Sequence, residues 1–474
     1  MGFRQATRVT APVAALLLWM LPASSGRAAD AGISLPEAVR QALEANLELV
    51  SRLQGLAADR EQIGLARSAL LPQVGIGARA QVLDNKRSDS LRGNNLSESV
   101  LLAAGLNQVI YDEDSWAGFQ TQKHIYAGQV QSFEAFKLGV AQDAADSFLE
   151  LDRSQSVLQI QERNRELTRR NRETSRVRIA AGWSSDREVL RWDTQLAGND
   201  SDVRAAQVLV LQNRFELNRA RNLPPEEAVS ALPATVEDYG FVYSRQPIAE
   251  AVVSPEADRQ MRDFLTRVGL RRSPDLAGLD ADIAAAERQL VAGRRAFWVP
   301  SLNLAAGVDY LANSTSSGDF NQTEWGLKGE LSFPLIQGGA KFAGLEQARA
   351  VLGSLRTERT ATAQVVERTI RSTLAQASGS FESVGFSSRQ LAAARRNFEL
   401  VDASYTLGVA TILDLLDAQA QLLTAELSLT NIIYGFLQDL VAAERALSFY
   451  AFLEPPADVE ALLDSLTRAL GLQP

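Results

Sequence analysis

The stretch Tyr405-Thr-Leu-Gly-Val-Ala-Thr-Ile-Leu-Asp-Leu-Leu-Asp-Ala-Gln-Ala-Gln-Leu422 decides how the chain is read. Its residues suit a sharp turn between two long helices. Gly408 supplies the left-handed residue that ends the first helix. Thr411 caps the second, and Asp414, three residues on, completes a capping box. A second copy stands earlier, at Gly182-Trp-Ser-Ser-Asp-Arg-Glu-Val-Leu190. There Gly182 matches Gly408, Ser185 matches Thr411, Glu188 matches Asp414 and Leu190 matches Leu416. The glycines are 226 residues apart, so the chain reads as a duplicated unit.

Outward from the first turn, 112–181 contains no proline. A helix of that length spans about 105 Å, more than a globular domain needs. Helix is expected again over 186–222, with Pro224, Pro225 and Pro233 closing the half. The segment 223–257 reads as an irregular linker lying against the helices. The second half is 258–453: helix over 258–297 broken near Ser273-Pro274, helix over 341–407, and helix over 412–452. The first half, 29–222, opens with one helix over 35–70, which Pro72 ends. The tail 454–474 is expected to be mobile, apart from a short helical stretch near Leu462.

Each half also carries two strands, within 73–111 and 301–337. Val74, Ile76, Ala78, Ala80 and Val82 alternate with polar or small residues. Leu302, Leu304, Ala306, Val308 and Tyr310 do the same, as do Trp325, Leu327, Leu331 and Phe333. A period of two over about ten residues fits strands with one lipid face and one watery face. The second strand, about 97–111, is less cleanly two-faced. Four strands cannot close a barrel, and an open sheet edge does not survive in lipid. The chain must therefore oligomerise: two copies give eight strands, three give twelve. The charged helices cannot lie in the membrane and must project from it. The polar segments 84–96 and 313–322 become loops on the far side.

Composition narrows the function. The chain of 474 residues has no cysteine and one histidine, His124, which excludes disulfides and most zinc sites. A net charge of −9 argues against a nucleic-acid partner. No nucleophile–base pair, metal spacing or phosphate loop stands out, so neither an enzyme nor a cofactor is expected. Arg4 and Arg8, the apolar run Val13–Leu21 and small residues up to Ala31 read as a secretory leader, 1–28, cleaved after Ala28 or Ala31.

The Gly408-x-x-Thr411-Ile-x-Asp414-x-Leu-Asp417-Ala run resembles the periplasmic turn of TolC-type outer-membrane efflux proteins. The resemblance covers nearly all of the mature chain. It implies a mainly α fold with a membrane β-barrel: a homotrimer forming a twelve-stranded barrel in outer-membrane lipid and a periplasmic α-helical tunnel. The function implied is passive export of substrates handed over by an inner-membrane transporter and a periplasmic adaptor (membrane fusion protein), in multidrug efflux or type I protein secretion. The rival reading is a periplasmic coiled-coil adaptor, which would carry one helical hairpin rather than two. By resemblance, Asp414 and Asp417 ring the pore constriction, and Tyr405 bonds to Glu188 to hold the tip shut. Gly182, Trp183, Ser184, Gly408, Val409 and Ala410 would meet the adaptor. Some relatives carry an arginine where Ala410 stands, and Arg187 and Arg191 are candidates to replace it by reaching Asp414 or Asp417. The run of arginines from Arg163 to Arg178 reads as a solvated helix face.

Overall fold

The computed structural model describes residues 32–82, 98–180, 186–314 and 323–472. The expected leader, the loops 84–96 and 315–322, and the turn with Gly182, Trp183, Ser184 and Ser185 lie outside these residues.

The strands β1 (Gln73–Val82), β2 (Glu98–Tyr111), β3 (Ser301–Ser314) and β4 (Thr323–Ser332) form one antiparallel sheet, in the order β1-β2-β3-β4. The β2–β3 pair joins the two halves of the duplication, with an irregularity between Val109 and Tyr111. Among the described residues, neither β1 nor β4 has a partner on its outer edge. The register carries the expected alternation across the sheet. One row reads Ile76, Ala104, Val308, Trp325, and Ile76 and Trp325 are 89% and 82% exposed. The opposite face has the rows Gly77, Ala103, Asp309, Glu324 and Gln73, Asn107, Ala305, Lys328. Between these lies a row of glycine alone: Gly75, Gly105, Gly307 and Gly326.

The helices next to the strands in sequence all adjoin the same end of the sheet. From β2 runs α3 (Glu113–Ala180), 68 residues long, which returns as α4 (Asp186–Ala220). From β4, Pro334 and the left-handed Gly338 and Gly339 turn the chain into α9 (Ala340–Thr406), 67 residues long. The chain then returns as α10 (Ile412–Ala446). These two hairpins pack side by side, α3 against α10. At the sheet junction Glu113 is buried, takes the Tyr111 hydroxyl, and pairs with Arg288 at 2.8 Å and Arg295 at 3.3 Å. Tyr111 thus ties the end of β2 to the start of α3.

The first helix is not continuous. It divides into α1 (Leu35–Ala45) and α2 (Leu47–Ser68) because Asn46 ends one and caps the other, its side chain accepting from the Glu48 and Leu49 N–H groups. The linker is more ordered than expected. It holds α5 (Val236–Tyr239), a 3-10 turn at Phe241–Ser244 and α6 (Gln246–Val252), and buries Phe241, Val242, Tyr243 and Ile248. The helix expected over 258–297 begins earlier, as α7 (Pro255–Arg272), and continues as α8 (Pro274–Arg295) after a break at Ser273.

The last hairpin helix stops at Ala446, six residues short of expectation, and Ser448 takes a positive φ of 55° as the chain turns. The tail then folds as α11 (Pro456–Ala469), seating Leu462, Leu463 and Leu466 in the core. An apolar face spaced three and four residues apart buries against α7, so this tail is docked, not free. The core therefore sits partway along the hairpins, where α1, the linker, α7 and α11 wrap Phe148, Leu149, Ile370, Leu374 and Phe436.

Candidate functional site

The tip of the second hairpin is built as its sequence requires. Gly408 has φ 80°, its N–H reaches the Tyr405 carbonyl at 2.9 Å, and the Val409 N–H reaches that of Ser404 at 2.9 Å. These bonds satisfy the last carbonyls of α9. The capping box is complete: Asp414 accepts from the Thr411 N–H at 2.9 Å, and the Asp414 N–H donates to the Thr411 hydroxyl at 3.3 Å. The Thr411 hydroxyl and N–H hold the Asp414 carboxyl below its ordinary value. Asp414 and Asp417 lie one turn apart on an exposed face of α10, and Asp417 accepts from Gln421 at 2.7 Å.

Tyr405 stands where the two hairpins meet, 2% exposed. Its hydroxyl donates to Glu188 at 3.1 Å and lies 2.9 Å from the Ser175 hydroxyl. Ser175 in turn accepts from the indole N–H of Trp192 at 2.9 Å. A relay results: Trp192 donates to Ser175, Ser175 to Tyr405, and Tyr405 to Glu188. Burial first, with help from Glu188, raises the Tyr405 pKa, so the hydroxyl keeps its proton and remains a donor. Trp192, Tyr405, Ile412 and Leu415 form a small buried cluster, with Ala410 packed against it.

The structure brings Tyr405 and Glu188 together, and it leaves Asp414 and Asp417 apart from them on the open face. Arg187 and Arg191 do not take the expected role. Among the described residues neither pairs with Asp414 or Asp417, whose carboxylates are occupied by Thr411 and Gln421. Arg178 is the cation at the tip instead. Its guanidinium lies 4.5 Å from the Tyr405 ring centroid and donates to the Tyr405 carbonyl. Sequence reading placed Arg178 in a solvated basic run. Others of that run are also engaged, Arg172 with Asp193 and Arg165 with Asp200. The usable signal was position: Arg178 is four residues before Gly182, in the last turn of α3, where a guanidinium can reach carbonyls.

Val409 and Leu407 are each 81% exposed and Leu413 is 58% exposed, so the tip ends in an apolar cap around Gly408.

The chain as a whole is similar to known proteins. A family model described as "Outer membrane efflux protein" matches residues 38–222 and 267–448. The chain is 26% identical over 425 residues to outer membrane protein TolC of Vibrio cholerae serotype O1, covering 87% of this chain and 90% of that one. It is 26% identical over 396 residues to the pyoverdine export outer membrane protein OpmQ of Pseudomonas aeruginosa, covering 81% and 75%. Among solved folds, a crystal structure of CusC superposes with a TM-score of 0.72 at 17% identity, covering 89% of this chain and 95% of that one.

Proposed function

The chain belongs to the outer membrane efflux protein family, whose members form export channels in the outer membrane, and on that premise we propose that it works as a homotrimer gated at its helical tip. The sheet carries this reading: four strands, open at β1 and β4, continuous with two long hairpins. Three copies would pair the open edges into a twelve-stranded barrel, and the hairpins would continue it as a periplasmic tunnel. The leader 1–28 would direct export of the chain and be removed. Substrates pass without energy input from the channel, handed over by an inner-membrane transporter through a periplasmic adaptor. The apolar cap of Leu407, Val409 and Leu413, with Ala410 and the Gly182–Ser184 turn, is the surface that the adaptor would meet.

At rest the duct has to be nearly closed. The relay from Trp192 to Glu188 supports Tyr405 as the latch between the hairpins. Asp414 and Asp417 would form carboxylate rings on the inner face of the tip, which favour cations. The test is conductance in planar bilayers. Tyr405→Phe keeps the ring for packing and loses the donor to Glu188, a hydrogen bond to a charged group worth about 1.5–3 kcal/mol net. Conductance should rise while the trimer persists. Asp414→Asn with Asp417→Asn should lower the preference for cations. Unchanged conductance and selectivity would put the constriction elsewhere.

A further inference from the structure

The seam between the hairpins changes character along its length. Nearer the core, α3 buries Ala141, Ala144, Phe148, Leu149 and Leu151. Toward the tip it buries Asn164, Thr168, Asn171 and Ser175, spaced four, three and four residues apart, and every one is polar. Over those 12 residues, about 16 Å of helix, the buried face of α3 meets the second hairpin through hydrogen bonds, beside the apolar contact of Tyr405, Ile412, Leu415 and Ala418.

Gln419 of α10 is the centre of that ladder. It is 4% exposed. Its amide nitrogen donates to Asn164 Oδ1 at 2.9 Å and to Thr168 Oγ1 at 2.7 Å. Its amide oxygen accepts from Asn171 Nδ2 at 3.2 Å. Both amide protons and the oxygen of Gln419 are thus placed on two turns of α3. The Thr168 hydroxyl also takes the Asn199 amide of α4 at 2.7 Å, so three helices share the junction. Gln419 is seven residues after Ile412, on the buried stripe that Leu415 continues. A polar residue on such a stripe costs stability and fixes the alignment of the two helices, because any other alignment leaves its amide unpaired.

We propose that Gln419 is a positioning residue of the gate, fixing the axial register of the second hairpin on the first so that the Tyr405 hydroxyl meets Ser175 and Glu188. The proposal rests on the reading of Tyr405 as the latch. An apolar seam would hold the hairpins through non-directional contact, at more than one register. The hydrogen-bonded seam holds them at one register and lets go once that register is lost.

The experiment measures resting conductance of the purified trimer in planar bilayers, with thermal stability of the trimer read alongside. Gln419→Leu is expected to raise the open-to-closed ratio about fivefold, the shift that one net hydrogen bond supports. In a Tyr405→Phe background the same change should add little, because Gln419 acts through Tyr405. If Gln419→Leu lowers the yield of trimer, Gln419→Leu with Asn164→Leu, Thr168→Val, Asn171→Leu and Asn199→Leu replaces the junction by matched apolar groups. That variant should keep its thermal stability and still leak. A rise with Tyr405→Phe but none with Gln419→Leu or the matched variant overturns the positioning role and leaves the latch standing. A full additional rise in the Tyr405→Phe background also overturns it, since Gln419 would then act independently. No rise in any variant removes the latch itself, and the proposal with it.

Discussion

Asp152 of α3 is 2% exposed and accepts the Ala234 N–H at 2.7 Å. Burial outweighs that bond and pushes its carboxyl up to about 6. Asp146, on the same helix, is also raised to about 6, and Glu444 is held well above the usual range by complete burial. A folded value above the unfolded one means that these groups favour the folded protein at low pH. The contribution is full below about pH 4 and fades as pH rises through about 6. Stability should therefore fall between about pH 4 and pH 7. Asp152→Asn keeps the acceptor for Ala234 and should remove Asp152's share, about 3 kcal/mol across that window. Melting temperature against pH checks it; an unchanged slope would mean that Asp152 stays ionised when folded. At this scale the sequence told unevenly. The Thr411–Asp414 box was legible because local spacing fixes it, and the Tyr405–Glu188 pair only through the family resemblance, since its partners lie 217 residues apart. Arg178 and Gln419 were not, because their partners lie 227 and up to 255 residues away and only packing brings them together.

Among the elements, the hairpins and strands were legible, since uninterrupted helix and period-two alternation are strong local signals. The errors fell where tertiary contact decides. Asn46 could have continued a helix, and capping of the following turn won. The tail looked polar enough to be free, yet one face of α11 is apolar and a core was within reach. Those docked pieces depend on close approach. A Cβ on Gly269 of α7 would stand 2.7 Å from Ile370 Cδ1 and 3.1 Å from Leu447 Cδ2. Gly269→Ala should push α7 off the hairpins and cost about 1–3 kcal/mol, as overpacking does. Heat dissociation of the trimer would report it, and an unaltered temperature would mean that the core yields freely there.

For the whole molecule, duplication was readable from the two matched turns, and the expectation of partner chains follows from a strand count too small to close. Which strand meets which was not readable: the β2–β3 pair that joins the halves rests on contacts about 200 residues apart in sequence. In the proposed trimer, β4 of one chain meets β1 of the next. Within one chain these strands are three spacings apart, about 14 Å, too far for a disulfide. The chain has no cysteine of its own. Trp325→Cys, paired in turn with Ile76→Cys, Ala78→Cys or Ala80→Cys, should give covalent species of two and three chains for at least one choice. Cross-linking confined to monomers would sink the closed barrel. The glycine row Gly75, Gly105, Gly307 and Gly326 acquires a mechanical meaning once that wall is closed. In the proposed trimer each chain would contribute one such row, slanting across the tilted strands as a seam with no side chain to stiffen it. The seams would be the compliant lines of the wall, where it could yield to torsion from the helical shaft before the mouth facing the outside does.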